Sequence, residues 1–125
     1  MLPKIMLVED DAIIREVYLM KFELEGHEVM GAENGKKALE VLEGFQPDVI
    51  LLDMMMPVMN GLEFMREFKR RGLGAEVIVF SNIAAPDQMR AVMGLGAVAY
   101  WIKSDYTPEL AIDGIMKRWR PRPGT

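Results

Sequence analysis

Residues 48–61 read "DVILLDMMMPVMNG", and this stretch decides the fold. Val49, Ile50, Leu51 and Leu52 follow one another with no polar residue between them. A strand exposed on one face would alternate; a strand buried on both faces, as in a parallel sheet, need not. The run stops at a lone carboxylate, Asp53. Three methionines and Pro57 follow, and Asn60-Gly61 opens an amphipathic stretch. Asn60 with Glu63 three residues later has the pattern of a capping box, a helix start. The unit is therefore a buried strand, a loop and a helix, with an acid at the strand's tip.

The same unit recurs on either side. Other short apolar runs lie at residues 5–8, 29–32, 77–80 and 98–102. Between them, apolar residues recur at helical spacing: Ile13, Val17, Met20 and Leu24; Ala38, Leu42 and Phe45; Met65 and Phe68; Met89, Val92 and Met93; Ile112, Ile115, Met116 and Trp119. Gly26 suits the end of the first helix, Pro86 the first turn of the fourth, and Thr107-Pro108 the cap and first residue of the fifth. His27, in the turn "EGHE", reads as a solvated residue. Five strand–helix units predict an α/β fold, a doubly wound five-stranded parallel sheet with helices on both faces. Strand order 2-1-3-4-5 is expected, as one domain over residues 1–120 with 121–125 as a tail or the start of a linker.

Composition narrows the function. The chain has 125 residues, half of them hydrophobic, and a formal net charge of -4. That balance does not suit a dedicated nucleic-acid binder. With no cysteine, disulfides, thiol catalysis and Cys-ligated metals are excluded. No apolar run approaches the ~18 residues of a membrane span, and the N-terminus meets acids too early for a signal peptide. A cytoplasmic, soluble domain is the expectation. Most of the twelve methionines read as adaptable core filler.

Ligands of doubly wound sheets bind beyond the carboxyl ends of the strands, where strand order reverses. In the expected order that point lies between the first and third strands. The first ends in Glu9, Asp10 and Asp11, the third at Asp53, the fourth at Ser81 and the fifth at Lys103. Capping of the first helix accounts for one of the three leading acids, not for all of them. Clustered carboxylates repel, so one takes up a proton or a cation neutralises them. Oxygen donors alone suit Mg²⁺ or a similar hard ion, which uses one or two carboxylates and a phosphate. Asp53 can attack phosphorus and carry an aspartyl-phosphate, while Lys103 and Ser81 can bind anionic oxygens.

These residues resemble the receiver domain of bacterial response regulators, the CheY-like, flavodoxin-like fold of two-component signalling. The matching pieces are "IMLVEDD", "VILLDMMMPVMNG", "VIVFS" and "GAVAYWIK", and the resemblance runs from residue 4 to about residue 120, nearly the whole chain. The resemblance implies that Asp53 accepts a phosphoryl group from a sensor histidine kinase or a histidine phosphotransfer protein. It also implies Mg²⁺ on Asp10, Asp53 and the Met55 carbonyl, with Glu9 acting through water. Ser81 and Lys103 would bind the phosphoryl group, and Tyr100 would switch with Ser81. The face made by the fourth helix, fifth strand and fifth helix would meet an output partner or a second copy of the chain. Such a domain is a signalling module rather than an enzyme, beyond its own phosphorylation and slow loss of the phosphoryl group. The slowness follows from Met55 and Ile83, apolar residues at positions that flank the path of the attacking water.

Two positions depart from the family's pattern. Ser104 follows Lys103 where proline is usual, and Asn82 follows Ser81 where a small residue is usual. A cis bond costs ~3–4 kcal/mol without proline, so a trans Lys103-Ser104 bond is expected. Two other classes share parts of the site. A hydrolase with an aspartyl-phosphate intermediate needs a second aspartate where Met55 stands. A flavodoxin-like cofactor binder needs a Ser-, Thr- and Gly-rich loop where "EDDA" stands.

Overall fold

A computed structural model describes residues 1–121. Five strands alternate with five α-helices: β1 (Ile5–Val8), α1 (Ala12–Leu24), β2 (Val29–Ala32), α2 (Gly35–Val41), β3 (Val49–Leu52), α3 (Gly61–Arg70), β4 (Glu76–Ser81), α4 (Pro86–Gly94), β5 (Ala99–Ile102) and α5 (Pro108–Arg118). A 3-10 turn, Lys103–Asp105, follows β5. The strands are all parallel in the order β2-β1-β3-β4-β5, as expected. Residues 122–125, most of the anticipated tail, lie outside the described residues.

Alternation along the strands divides the core into two layers. Met6, Val8, Ile50, Leu52, Val77 and Val79 pack against Leu39 of α2, Phe64 and Phe68 of α3 and Val92 of α4. Ile5, Leu7, Val49, Leu51, Ile78 and Phe80 pack against Tyr18 and Phe22 of α1 and Ile112 and Ile115 of α5. Burial on both faces explains the unbroken apolar runs. It leaves the strand ends as the place where polar groups can emerge.

Local signals act where the sequence put them. Asn60 and Glu63 form the capping box of α3, with bonds of 2.9 and 3.0 Å. Thr107 caps α5 with Pro108 in its first turn. Gly26 has φ +97, the left-handed conformation that ends α1. No peptide bond among the described residues is cis, so Lys103-Ser104 is trans.

Two readings are corrected, and one helix shows an unexpected face. Ile13, Val17, Met20 and Leu24, whose spacing marks α1, lie on its outer side and are 76%, 50%, 60% and 75% exposed. The buried face of α1 belongs to Tyr18 and Phe22, flanked by Ile14 and Leu19. Two apolar stripes interleave on this helix, and the one with the aromatic volume faces the sheet. His27 is buried rather than solvated. Its Nδ1 lies 2.9 Å from the Pro3 carbonyl and its ring packs edge-on against Phe22. Of the methionines, Met6, Met54, Met56 and Met65 are core, but Met1, Met20, Met30, Met55 and Met93 are exposed.

The loop after β3 is tightly constrained. The Met59 N–H donates to the Pro57 carbonyl across Val58, whose φ is +66, a three-residue turn uncommon for a β-branched residue. Gly61 then seats the start of α3 against the strand end. A Cβ there would lie 2.6 Å from the Asp53 carbonyl oxygen and 2.9 Å from the Met54 Cα. Both are backbone atoms, so neither can yield by a rotamer change. Gly61→Ala is expected to cost about 1–3 kcal/mol, the usual range for overpacking, read as a fall of several degrees in Tm. Gly94→Ala, where the added methyl meets nothing within 4 Å, is expected to be neutral or stabilising.

Candidate functional site

Register brings the chemistry together. Val8 of β1 is level with Leu52 of β3, so Glu9 and Asp53 leave the sheet side by side. The Asp53 N–H donates to the Val8 carbonyl, and the Glu9 N–H to the Ala32 carbonyl. Ser81 ends β4, and its partner Ile102 in β5 directly precedes Lys103. Glu9, Asp53 and Ser81 are buried, which is uncommon for polar side chains and requires partners.

Lys103 partners the two carboxylates. Its Nζ donates to Glu9 Oε1 at 2.5 Å and to Asp53 Oδ2 at 3.2 Å. One ammonium from the end of β5 thus ties the ends of β1 and β3. Burial works against its charge, but the Glu9 hydrogen bond and the Asp53 charge outweigh it, and its pKa is raised. Glu9 Oε2 accepts from the Asp11 N–H at 3.1 Å. Asp53 Oδ1 has a longer contact, 3.4 Å from the Met55 N–H.

Asp10 completes the acid set from an exposed position. Ligand oxygens of Glu9, Asp10 and Asp53 lie within 4.8 Å of one another. Desolvation, and then the neighbouring Glu9, hold the Asp10 carboxyl above its ordinary pKa. Three carboxylates face a single ammonium, and all their donors are oxygen. That set fits a hard divalent cation. Asp11 serves the helix instead. Its Oδ1 accepts from the Ile13 and Ile14 N–H groups at 2.9 and 3.0 Å, capping α1. The three leading acids therefore divide into one cap and two site residues.

Around this centre the loops are cross-linked. Ser81 Oγ accepts from the Ile83 N–H at 3.2 Å, while the Tyr100 hydroxyl donates to the Ile83 carbonyl. Burial, first of all, and the Asp53 charge raise the Tyr100 phenol above its ordinary pKa. Tyr100 is half-buried on the layer with α4, whereas Trp101 packs on the opposite layer, stacked on Tyr106 at 4.6 Å. The Ser104 N–H donates to Asn82 Oδ1 at 2.8 Å. Sequence reasoning missed Arg15, whose Nη1 donates to the Glu9 carbonyl at 2.7 Å. Its signal was its spacing, four residues after the cap, which returns it to the side of α1 that faces the strand ends.

A parallel sheet with a buried, lysine-bound aspartate beside an acidic pair defines a class, the phosphoryl-accepting modules built on this fold. The comparisons agree. The response regulator receiver domain family matches residues 5–111, and the chain belongs to that family. It is 33% identical over 121 residues to the phosphate regulon transcriptional regulatory protein PhoB of Pseudomonas aeruginosa, covering 94% of this chain and 53% of that protein. It is 29% identical over 110 residues to the chemotaxis protein CheY of Halobacterium salinarum, covering 88% of this chain and 92% of CheY. A CheY-like receiver domain from Methanospirillum hungatei superposes with a TM-score of 0.85 at 27% identity, covering 94% of each chain. The chain thus spans about half the length of PhoB. Receiver domains are the phospho-acceptor modules of two-component signalling, and that is the role of this chain's family. No helix among the described residues is long and apolar enough to cross a membrane.

A cation that binds only the native site stabilises the fold by mass action. Millimolar Mg²⁺ is expected to raise Tm by a few degrees. Asp10→Asn is expected to abolish that rise while leaving the metal-free protein at least as stable as wild type, because it removes a charge that Glu9 repels. A full Mg²⁺ shift in Asp10→Asn would remove Asp10 from the metal set.

Proposed function

We propose that this chain takes a phosphoryl group onto Asp53 from a sensor histidine kinase or a histidine phosphotransfer protein. The observation that carries this reading is the Lys103 ammonium, held between Asp53 and Glu9 beside Asp10. An Asp53 carboxylate oxygen attacks the phosphorus of a phosphohistidine. The new P–O bond forms as the P–N bond breaks, and the imidazole leaves with the electron pair and takes a proton. Mg²⁺ held by Asp10, Asp53 and the Met55 carbonyl, with Glu9 acting through water, would supply charge neutralisation for the transfer. Lys103, whose Nζ lies 3.2 Å from Asp53 Oδ2, would bind an oxygen of a phosphoryl group placed on Asp53. The Ser81 hydroxyl already accepts from Ile83, which leaves its own hydrogen to donate to the same group.

Further parts of the reading concern partners. A protein donor needs a surface beside Asp53. The exposed stripe Ile13, Val17, Met20 and Leu24 starts at the end of α1 that Asp11 caps, and it is apolar enough to seat a helical partner. The response passes through Ser81, Ile83 and Tyr100 to the face of α4, β5 and α5, where Met93 is exposed. That face would meet an output partner or a second copy of the chain. We infer one domain over residues 1–120 acting in the cytoplasm, with no catalysis beyond its own phosphorylation and slow dephosphorylation. Met55 is exposed and Ile83 half-buried, and neither can orient an attacking water.

Intact mass after incubation with Mg²⁺ and a small phosphodonor tests the reading. One phosphoryl group is expected on wild type and none on Asp53→Asn; an unmodified wild type would sink it. Met55→Asn with Ile83→Glu is expected to lose the group several-fold faster. Met20→Glu is expected to slow transfer from a protein donor at least tenfold while leaving the small donor's rate unchanged.

A further inference from the structure

The 3-10 turn that carries Lys103 has an end that its own sequence does not cap. Its N-cap is Ile102, which has no side-chain acceptor, and no side-chain cap bond is made there. The first N–H groups of such a turn need acceptors from elsewhere. Asn82 provides one from a different loop, 22 residues away: its Oδ1 accepts the Ser104 N–H at 2.8 Å. Asn82 and Ser104 are thus partners across two loops. A proline at 104 would have no N–H to offer.

The bond's placement gives it a consequence. Asn82 directly follows Ser81, and Ser104 directly follows Lys103. Within the same two loops, the Ile83 N–H donates to Ser81 and the Ile83 carbonyl accepts from Tyr100 on β5. The Lys103 carbonyl accepts the Tyr106 N–H and closes the turn. The loop after β4 is therefore tied to the chain on both sides of Lys103, to Tyr100 before it and to Ser104 after it. Both Asn82 and Ser104 are exposed, so their bond contributes little to the core. What it fixes is the backbone from which Lys103 reaches inward.

We propose that Asn82 is a positioning residue for Lys103, capping the turn from the neighbouring loop so that Ser81 and Lys103 move as one unit during phosphoryl transfer. This rests on Asp53 being the acceptor. The carboxamide oxygen makes the cap, so a carboxylate at the same place keeps the function and a methyl group does not.

The test uses the full chain, Mg²⁺ and acetyl phosphate, with phosphorylation followed by intact mass over a range of donor and Mg²⁺ concentrations. Asn82→Ala is expected to lower the maximal rate about five- to tenfold, the worth of one hydrogen bond that matters in the transition state. The Mg²⁺ concentration for half-maximal rate and the Tm are expected to stay at wild-type values. Asn82→Asp is expected to recover at least half of the lost rate. Ser104→Pro, which deletes the donor, is expected to slow wild type but to add no further loss to Asn82→Ala. An Asn82→Ala rate equal to wild type, a loss that Asn82→Asp does not recover, or additive effects of the two sites would each overturn the proposal. Wild type that takes up no phosphoryl group would instead overturn the assignment of Asp53, so the two failures are distinct.

Discussion

The Lys103 ammonium between Glu9 and Asp53 is the interaction on which the rest of the site depends. Three strands, β1, β3 and β5, deliver these groups from positions far apart in the chain. Without a cation, buried carboxylates this close would be driven to take up protons. With one, the acids stay in reach of a metal and a phosphate. The core's role is to hold that meeting to a fraction of an ångström, since a small misplacement of a reacting group is costly in rate. Two apolar layers hold the strands in register, and the register sets Glu9 beside Asp53 and Ser81 beside the residue that precedes Lys103.

Loops then refine what the sheet provides. Gly61 lets α3 close onto the Asp53 carbonyl, and the turn through Val58 holds the intervening chain. Ile83 is gripped at both its N–H and its carbonyl, by Ser81 and by Tyr100. Ser81 is thereby linked through Ile83 to the ring of Tyr100, which lies half-buried on the layer that packs against α4.

Much of this was legible in the sequence because parallel strands buried on both faces give unbroken apolar runs. The acids, serine and lysine that end those runs mark the site, because the strand ends of a doubly wound sheet share one edge. Other features depended on information the local sequence does not hold. On α1 the stripes Ile13, Val17, Met20, Leu24 and Ile14, Tyr18, Phe22 both have helical spacing, and only packing against Phe80 and Ile112 selects the second. His27 sits in a turn whose composition suggests solvent; contacts with Pro3 and Phe22 bury it. Asn82 and Ser104 each stood out as a departure, but their bond required the pairing of β4 with β5.

A double-mutant cycle on the metal-free protein tests most directly whether the strand ends form one electrostatic unit. Unfolding free energies would be measured at neutral pH for wild type, Lys103→Met, Asp53→Asn and the double variant. Lys103→Met alone is expected to cost about 3 kcal/mol, the scale for breaking a buried pair from one side. Asp53→Asn is expected to cost less and to relieve part of the Lys103→Met loss, giving a coupling of about 1–3 kcal/mol. Additive effects of the two substitutions would contradict the account, because Lys103 and Asp53 would then share an edge of the sheet without sharing an interaction.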